Sequence, residues 1–235
     1  GEALISVSSI KEGLELLASL PQVDAPKKKD GPGKPGDRLQ RYRHIDVPRH
    51  VPEGSAIDRL LLVCASTPRT DRLAASLREA GTQVQRLVVD ERGWHLPGMD
   101  VIALGEVSAL AAALAPILQG MRPCTAAFVT QASDTDALGT DALDAPALAL
   151  FTLAKALGSL SQPGVAITRL SVLLDGHPVA DAGARGVARA LSHEWRSAGI
   201  TVSSVGLDDA SELSAALALA GAHPGKHDLW LHEGK

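Results

Sequence analysis

Aromatic side chains are scarce in this sequence: three Trp, two Phe and one Tyr make up 3% of its 235 residues. Alanine and leucine must fill the apolar positions, which favours tight helix-on-sheet packing over an aromatic-lined pocket. Cysteine is nearly absent too. Cys64 and Cys124 lie far apart with no C-x-x-C spacing, and Cys64 falls in an apolar run where a small, inert thiol belongs. There is no excess of positive charge: a formal net charge of −4 gives no electrostatic case for nucleic acid or an acidic membrane surface. No apolar run reaches bilayer-spanning length, and no stretch reads as a signal peptide. A reducing, cytoplasmic setting is therefore expected. The remainder, 45% hydrophobic and 21% charged, is ordinary for a globular chain and enough for one full core, or a core with a small appendage. The opening at Gly1, in mid-pattern, is that expected of a piece of a longer protein.

Residues 3–20 carry an amphipathic helical pattern, with Ile10, Leu14 and Leu17 on one face and Ser8 or Ser9 as N-cap. Residues 21–38 form a linker. From Pro21 to Asp37 it holds four prolines, three glycines and four lysines, with no means of burying area. Lys27 to Lys29 read as solubilising linker charge rather than a docking or targeting tag. Leu39 to Val47 reads as an edge strand bounded by Pro48 and Pro52.

A regular alternation follows. Strands are expected at 60–64, 84–89, 101–104, 126–130, 165–174, 200–207 and 229–231. Helices are expected at 69–80, 107–118, 146–157 (with Pro146 in the first turn), 181–198 and 211–220. In the helix after Asp181, Val187, Leu191 and Trp195 form one apolar stripe. Ala198-Gly199 ends it, and a β-branched run from Ile200 to Leu207 follows. Strands alternating with helices of this length give an α/β, Rossmann-like, doubly wound parallel sheet covered on both faces.

A dinucleotide site needs a glycine-rich turn after the first strand, so that backbone N–H groups approach the pyrophosphate. Here that turn is A-S-T-P-R-T. It has no glycine, and Pro68 removes a donor. Ser66, Thr67 and Arg69 offer a weak substitute for holding phosphate; an ordinary polar turn capped by Thr67 or Ser66 is the expectation. Asp90 and Glu91 sit where a ribose-binding acid often lies, with little meaning in the absence of the glycines. Ser161, Ser171 and His193 make no nucleophile elbow or triad spacing. Asp134, Asp136, Asp141 and Asp144 lack the pattern of a calcium loop. His223, His227 and His232 read as a surface cluster rather than a metal site, and Trp195, beside Glu194, as a core anchor.

The run G-V-A-R-A-L-S-H-E-W-R-S-A-G-I-T-V-S-S-V from Gly186 resembles the late part of a short-chain dehydrogenase/reductase domain. In that family a Tyr-x-x-x-Lys pair opens this helix, the tyrosine giving the proton and the lysine lowering its pKa. Here His177 and Asp181 fall at those places, and the one tyrosine, Tyr42, lies far upstream. Phe151-Thr-Leu-Ala-Lys155 repeats the spacing on another helix with no proton to give.

A reductase-like fold without turn or pair resembles the structural, non-catalytic half of the ketoreductases of modular polyketide synthases and polyunsaturated fatty acid synthases. The likeness runs over 39–235. It rests on A-L-F-T-L-A-K-A-L at 149–157, V-A-I-T-R-L-S-V at 165–172, G-V-A-R-A-L-S-H-E-W at 186–195 and the tail H-D-L-W-L-H-E-G-K at 227–235. L-I-S-V-S-S-I-K-E-G-L-E-L-L at 4–17 is similar to the last helix of an acyl carrier protein, so 1–20 reads as that helix or a linker helix. The resemblance implies no catalytic, cofactor-binding or metal-ligating residue in this chain. It implies NADPH in a catalytic half that follows, an acyl carrier protein as second partner, and no nucleic acid or membrane. Two rival expectations remain: a divergent stand-alone reductase with His177 as the acid, and a decayed Rossmann module that docks partners through the helix at 107–118.

Overall fold

From Leu60 to Cys64 no side chain is exposed. Successive strand side chains point to opposite faces, so this strand must be covered on both. The computed structural model describes residues 57–121, 124–130, 140–160, 167–175, 178–208, 211–227 and 229–231, all within the unit Asp46–Lys235. The helix expected at 3–20, the linker, the strand at 39–47, and Tyr42, Asp134, Asp136, Ser161, His177 and His232 lie outside the described residues, as do the side chains of Asp141 and Asp144.

In chain order the elements are β1 (Arg59–Cys64), α1 (Pro68–Glu79), β2 (Gln83–Asp90), β3 (Gly93–His95), α2 (Val107–Gln119), β4 (Cys124–Val129), α3 (Thr140–Leu160), β5 (Ile167–Leu174), α4 (Pro178–Glu194), a 3-10 turn (Trp195–Ala198), β6 (Thr201–Leu207), α5 (Leu213–Ala222) and β7 (Leu229–Leu231). They form one seven-stranded sheet in the order β3-β2-β1-β4-β5-β6-β7. All neighbours are parallel except β2 and β3. The chain leaves β1 towards β2 on one side and returns through α2 to β4 on the other. The direction of winding therefore reverses between β1 and β4.

Two cores cover the sheet. On one face Leu61, Val63, Phe128, Leu170 and Val172 pack against α2, α3 and α4. On the other Leu60, Leu62, Val129, Leu173 and Val205 pack against α1 and α5. The stripe of α4 is Ala184, Ala188, Leu191 and Trp195, all buried, with Val187 half-buried beside it. Small residues set how closely α5 sits. Ser171 and Ser203 are paired across β5 and β6 and wholly buried, and α5 brings Ala216 and Ala220, also wholly buried. Gly199, at φ 72°, ends the 3-10 turn, and its left-handed backbone turns the chain into β6.

The doubly wound expectation holds, with three departures. No strand forms at 101–104; only Ile102 makes a bridge, to Trp94. The third strand is instead Gly93–His95, antiparallel to β2. A hairpin replaces a crossover helix because the chain turns back within two residues of Asp90. Pro146 lies inside α3 rather than in its first turn; a helix carries on past the one donor a proline removes when packing holds it. The last helix runs from Leu213 rather than Ser211.

Gly93 is the hinge of the hairpin. Its φ is 140°, and a Cβ there would overlap the Ile102 carbonyl. Gly93→Ala is expected to cost roughly 2–4 kcal/mol, from backbone strain plus overpacking against an atom that cannot swing aside. Urea denaturation checks the size, and near-ultraviolet circular dichroism of the buried Trp94 checks the location.

Candidate functional site

In open parallel sheets ligands bind beyond the carboxyl ends of the strands, where the winding reverses. Here that is the crevice above β1 and β4, walled by the turn into α1 and by the ends of β5 and β6. Thr67 is the N-cap of α1, and a reciprocal pair closes the turn. The Thr70 amide donates to Thr67 Oγ1 at 3.2 Å, and the Thr67 amide to Thr70 Oγ1 at 3.1 Å. Thr70 Oγ1 also lies 2.7 Å from the Ala65 carbonyl. Arg86 of β2 donates to the same carbonyl and to Thr70 Oγ1, both at 3.0 Å, and pairs with Asp71. The turn is thus braced from within the chain: the amides of Thr67 and Thr70 are bonded, and Pro68 has none.

Arg69 crosses the crevice. Its guanidinium forms an ion pair with Asp175, just beyond β5. It also donates to the Asp208 carbonyl at 3.3 Å and to the Ser211 carbonyl, at the two ends of the β6–α5 connection. Thr130, beyond β4, receives the Asp175 amide on Oγ1 at 2.8 Å. One side chain from the second residue of α1 thereby joins the ends of β1, β5 and β6. Of the residues considered for phosphate, Thr67 is the cap, Ser66 is exposed, and Arg69 is engaged with the chain itself. Asp175 and Ser211 carry no sequence motif; the one signal for them is a polar residue just past an apolar strand.

The other candidates are dispersed. Asp181 is buried in the first turn of α4. Phe151 and Lys155 lie on the outer side of α3, Lys155 over the Phe151 ring and 3.3 Å from Glu194. They belong to the opposite end of the sheet. There a groove of about 330 Å³ runs between α3 and the end of α4, with Trp195 buried at its wall. His193 is exposed and Ser171 is wholly buried in β5. His223 and His227 are half-buried, and β6 holds their main-chain carbonyls. The Ser203 hydroxyl donates to the His223 carbonyl at 3.4 Å and accepts the Gly225 amide at 2.9 Å. The Ser204 hydroxyl donates to the His227 carbonyl at 3.0 Å. These bonds staple the turn before β7 onto β6. Among the described residues no group of three or more His, Cys, Asp and Glu is placed to hold a metal ion, and no helix is long and apolar enough to cross a membrane.

Burial pushes both thiols up, with Arg86 partly opposing this at Cys64 and Arg59 at Cys124. Both are buried and free, which leaves them protonated and unreactive. Asp90 holds the hairpin. Its Oδ1 receives the amides of Arg92 at 2.8 Å and Gly93 at 3.3 Å and lies 2.9 Å from His95 Nε2; Glu91 is exposed. Burial works to raise the Asp90 pKa, but His95 and the two amides outweigh it and hold the carboxyl below its usual range.

No protein-family model matches the sequence, and no curated protein matches it. Solved structures do match. A short-chain dehydrogenase/reductase family oxidoreductase from Burkholderia thailandensis is similar over 77% of this chain and 93% of its own, at 18% identity and a TM-score of 0.53. A short-chain dehydrogenase from Leptospira borgpetersenii, solved with NAD+ bound, is similar over 82% and 98%, at 12% identity and a TM-score of 0.51. The fold is that of the short-chain dehydrogenase/reductases.

Two measurements test the site. Thr67→Ala removes the cap of α1 and is expected to lower stability by about 1 kcal/mol, read as a shift in the denaturant midpoint. Because the folded state depresses the Asp90 pKa, its contribution is complete above the unfolded value of about 4 and disappears as pH falls through the lower folded value. Asp90→Asn is expected to flatten that part of the acid limb in a midpoint-against-pH series, leaving the limb above pH ~5 parallel to wild type.

Proposed function

We propose that this chain is a non-catalytic, Rossmann-like scaffold, the structural half of a ketoreductase within a polyketide or fatty acid megasynthase. Its reductase-type fold is the common ground. The observation that carries the finer reading is the β1–α1 turn, where a glycine-rich loop would be needed to admit a pyrophosphate. Here threonine side chains close the turn on itself, and Pro68 occupies its first helical position. Asp181, where the resemblance would place the active-site lysine, adds support, since a carboxylate has the wrong sign to stabilise a phenolate.

In this reading a catalytic half that follows in the parent protein binds NADPH and reduces a β-ketoacyl group delivered by an acyl carrier protein. The present fold packs against that half and steadies it. Docking through the outer face of α2 draws no support: the exposed large apolar side chains among the described residues are Met99, Val101, Phe151 and Trp230, and none lies on that helix.

Titration of the full chain with NADPH, followed by nicotinamide fluorescence and calorimetry, decides the matter. No saturable binding is expected up to about 1 mM, a free energy of roughly −4 kcal/mol. Micromolar binding, or reduction of a β-ketoacyl thioester, overturns the scaffold reading in favour of a divergent stand-alone reductase.

A further inference from the structure

The three contacts of Arg69 do more than fill a crevice. Ser211, whose carbonyl Arg69 holds, places its hydroxyl 3.1 Å from the Leu231 carbonyl in β7 and 2.5 Å from Asp208 Oδ1. Among the described residues β7 is the sheet's last strand, three residues long and paired to β6. Its approach is stapled by Ser204, whose hydroxyl donates to the His227 carbonyl and whose amide donates to the Lys226 carbonyl at 2.9 Å. Its far end meets Ser211. Between the two, Trp230 lies against Gly206, where a Cβ would overlap the indole, with the Arg185 guanidinium 5.8 Å from the ring. Trp230 is 46% exposed, so one side of it faces outward from this edge.

The geometry points to Arg69 as a positioning residue for β7. Its guanidinium takes the place that a ligand's phosphates hold in a glycine-turn domain, and from there it fixes the edge strand through Ser211. The inference rests on the scaffold reading in one respect: no phosphate competes for the crevice. A strand of three residues makes too few ladder bonds to hold its own register. Fixing the β6–α5 connection fixes the acceptor geometry at Leu231, and with it the edge that carries Trp230.

Hydrogen exchange on the full chain reads the effect directly. In Arg69→Ala, amides of 229–231 are expected to exchange about tenfold faster or more, while those of β1 and β4 keep their protection. Methylguanidinium in the buffer should restore β7 protection in that variant and change nothing in wild type. Ser211→Ala, which removes the hydroxyl's contacts with Leu231 and Asp208 and leaves the Ser211 carbonyl to Arg69, should loosen β7 and leave the α1 amides as they were. Unchanged β7 exchange in Arg69→Ala overturns the inference, as does an equal loss across β1, β4 and β7, which would mean a general stabilising contact. If Arg69→Ala does not fold, Arg69→Lys takes its place: it keeps the charge on Asp175 but loses the branch to the two carbonyls, and β7 alone should loosen. NADPH binding by wild type would remove the scaffold reading and leave the β7 result standing. Unchanged β7 exchange would do the reverse.

Discussion

Everything in this structure depends on a central strand that no water reaches. With Leu60 to Cys64 wholly buried, the backbone of β1 pairs with β2 and β4, and its apolar side chains pack against the helices above and below. Those demands recruit the rest. β4 must be parallel and adjacent, so α2 must cross back over the sheet, and the winding must reverse beside β1. The crevice above the carboxyl ends follows from the burial of β1, whether or not anything binds there. What fills the crevice in this chain is a set of its own side chains.

Two solutions to that filling are visible in the chemistry. A glycine turn leaves amides unpaired and aimed outward, a state stable only when an anion arrives. The Thr67–Thr70 pair satisfies those needs without a ligand, and Arg86 secures the same turn from β2. Side chains of the chain itself thus brace this turn.

Much of the fold was legible in advance, for a physical reason. Apolar runs such as Leu60–Cys64 and the Ile200–Leu207 segment report burial directly, and Gly199 after the α4 stripe reports a left-handed stop. Thr67 as a cap was legible because capping is local. The third strand was not. Trp94 and His95 show no strand alternation, and their place is set by the φ of Gly93 and the burial of Trp94 against Ile102 and the Leu104 carbonyl, contacts that exist only once the hairpin has closed. The bonds that hold the main-chain carbonyls of His223 and His227 were hidden for the same reason: Ser203 and Ser204, which make them, are some twenty residues away in the chain. The site was legible as an absence. Its occupant was not, since Arg69 and Asp175 are 106 positions apart.

That separation also bears on what the Arg69 bridge does. A contact spanning 106 positions orders a long stretch of chain for one interaction, and a half-exposed ion pair contributes little by itself. The bridge is better placed than that average, because the side chains of Arg69 and Asp175 are only 23% and 13% exposed and Nη2 of the fork meets the carbonyls of Asp208 and Ser211. A guanidinium suits such a place: its donors are held in a fixed plane, so satisfying one orients the others. Asp175 sets the charge balance, and the carbonyls of Asp208 and Ser211 set the direction. A lysine would meet the first requirement and not the second, which is why the position of the β6–α5 connection, and through Ser211 that of β7, follows from the planarity of one side chain.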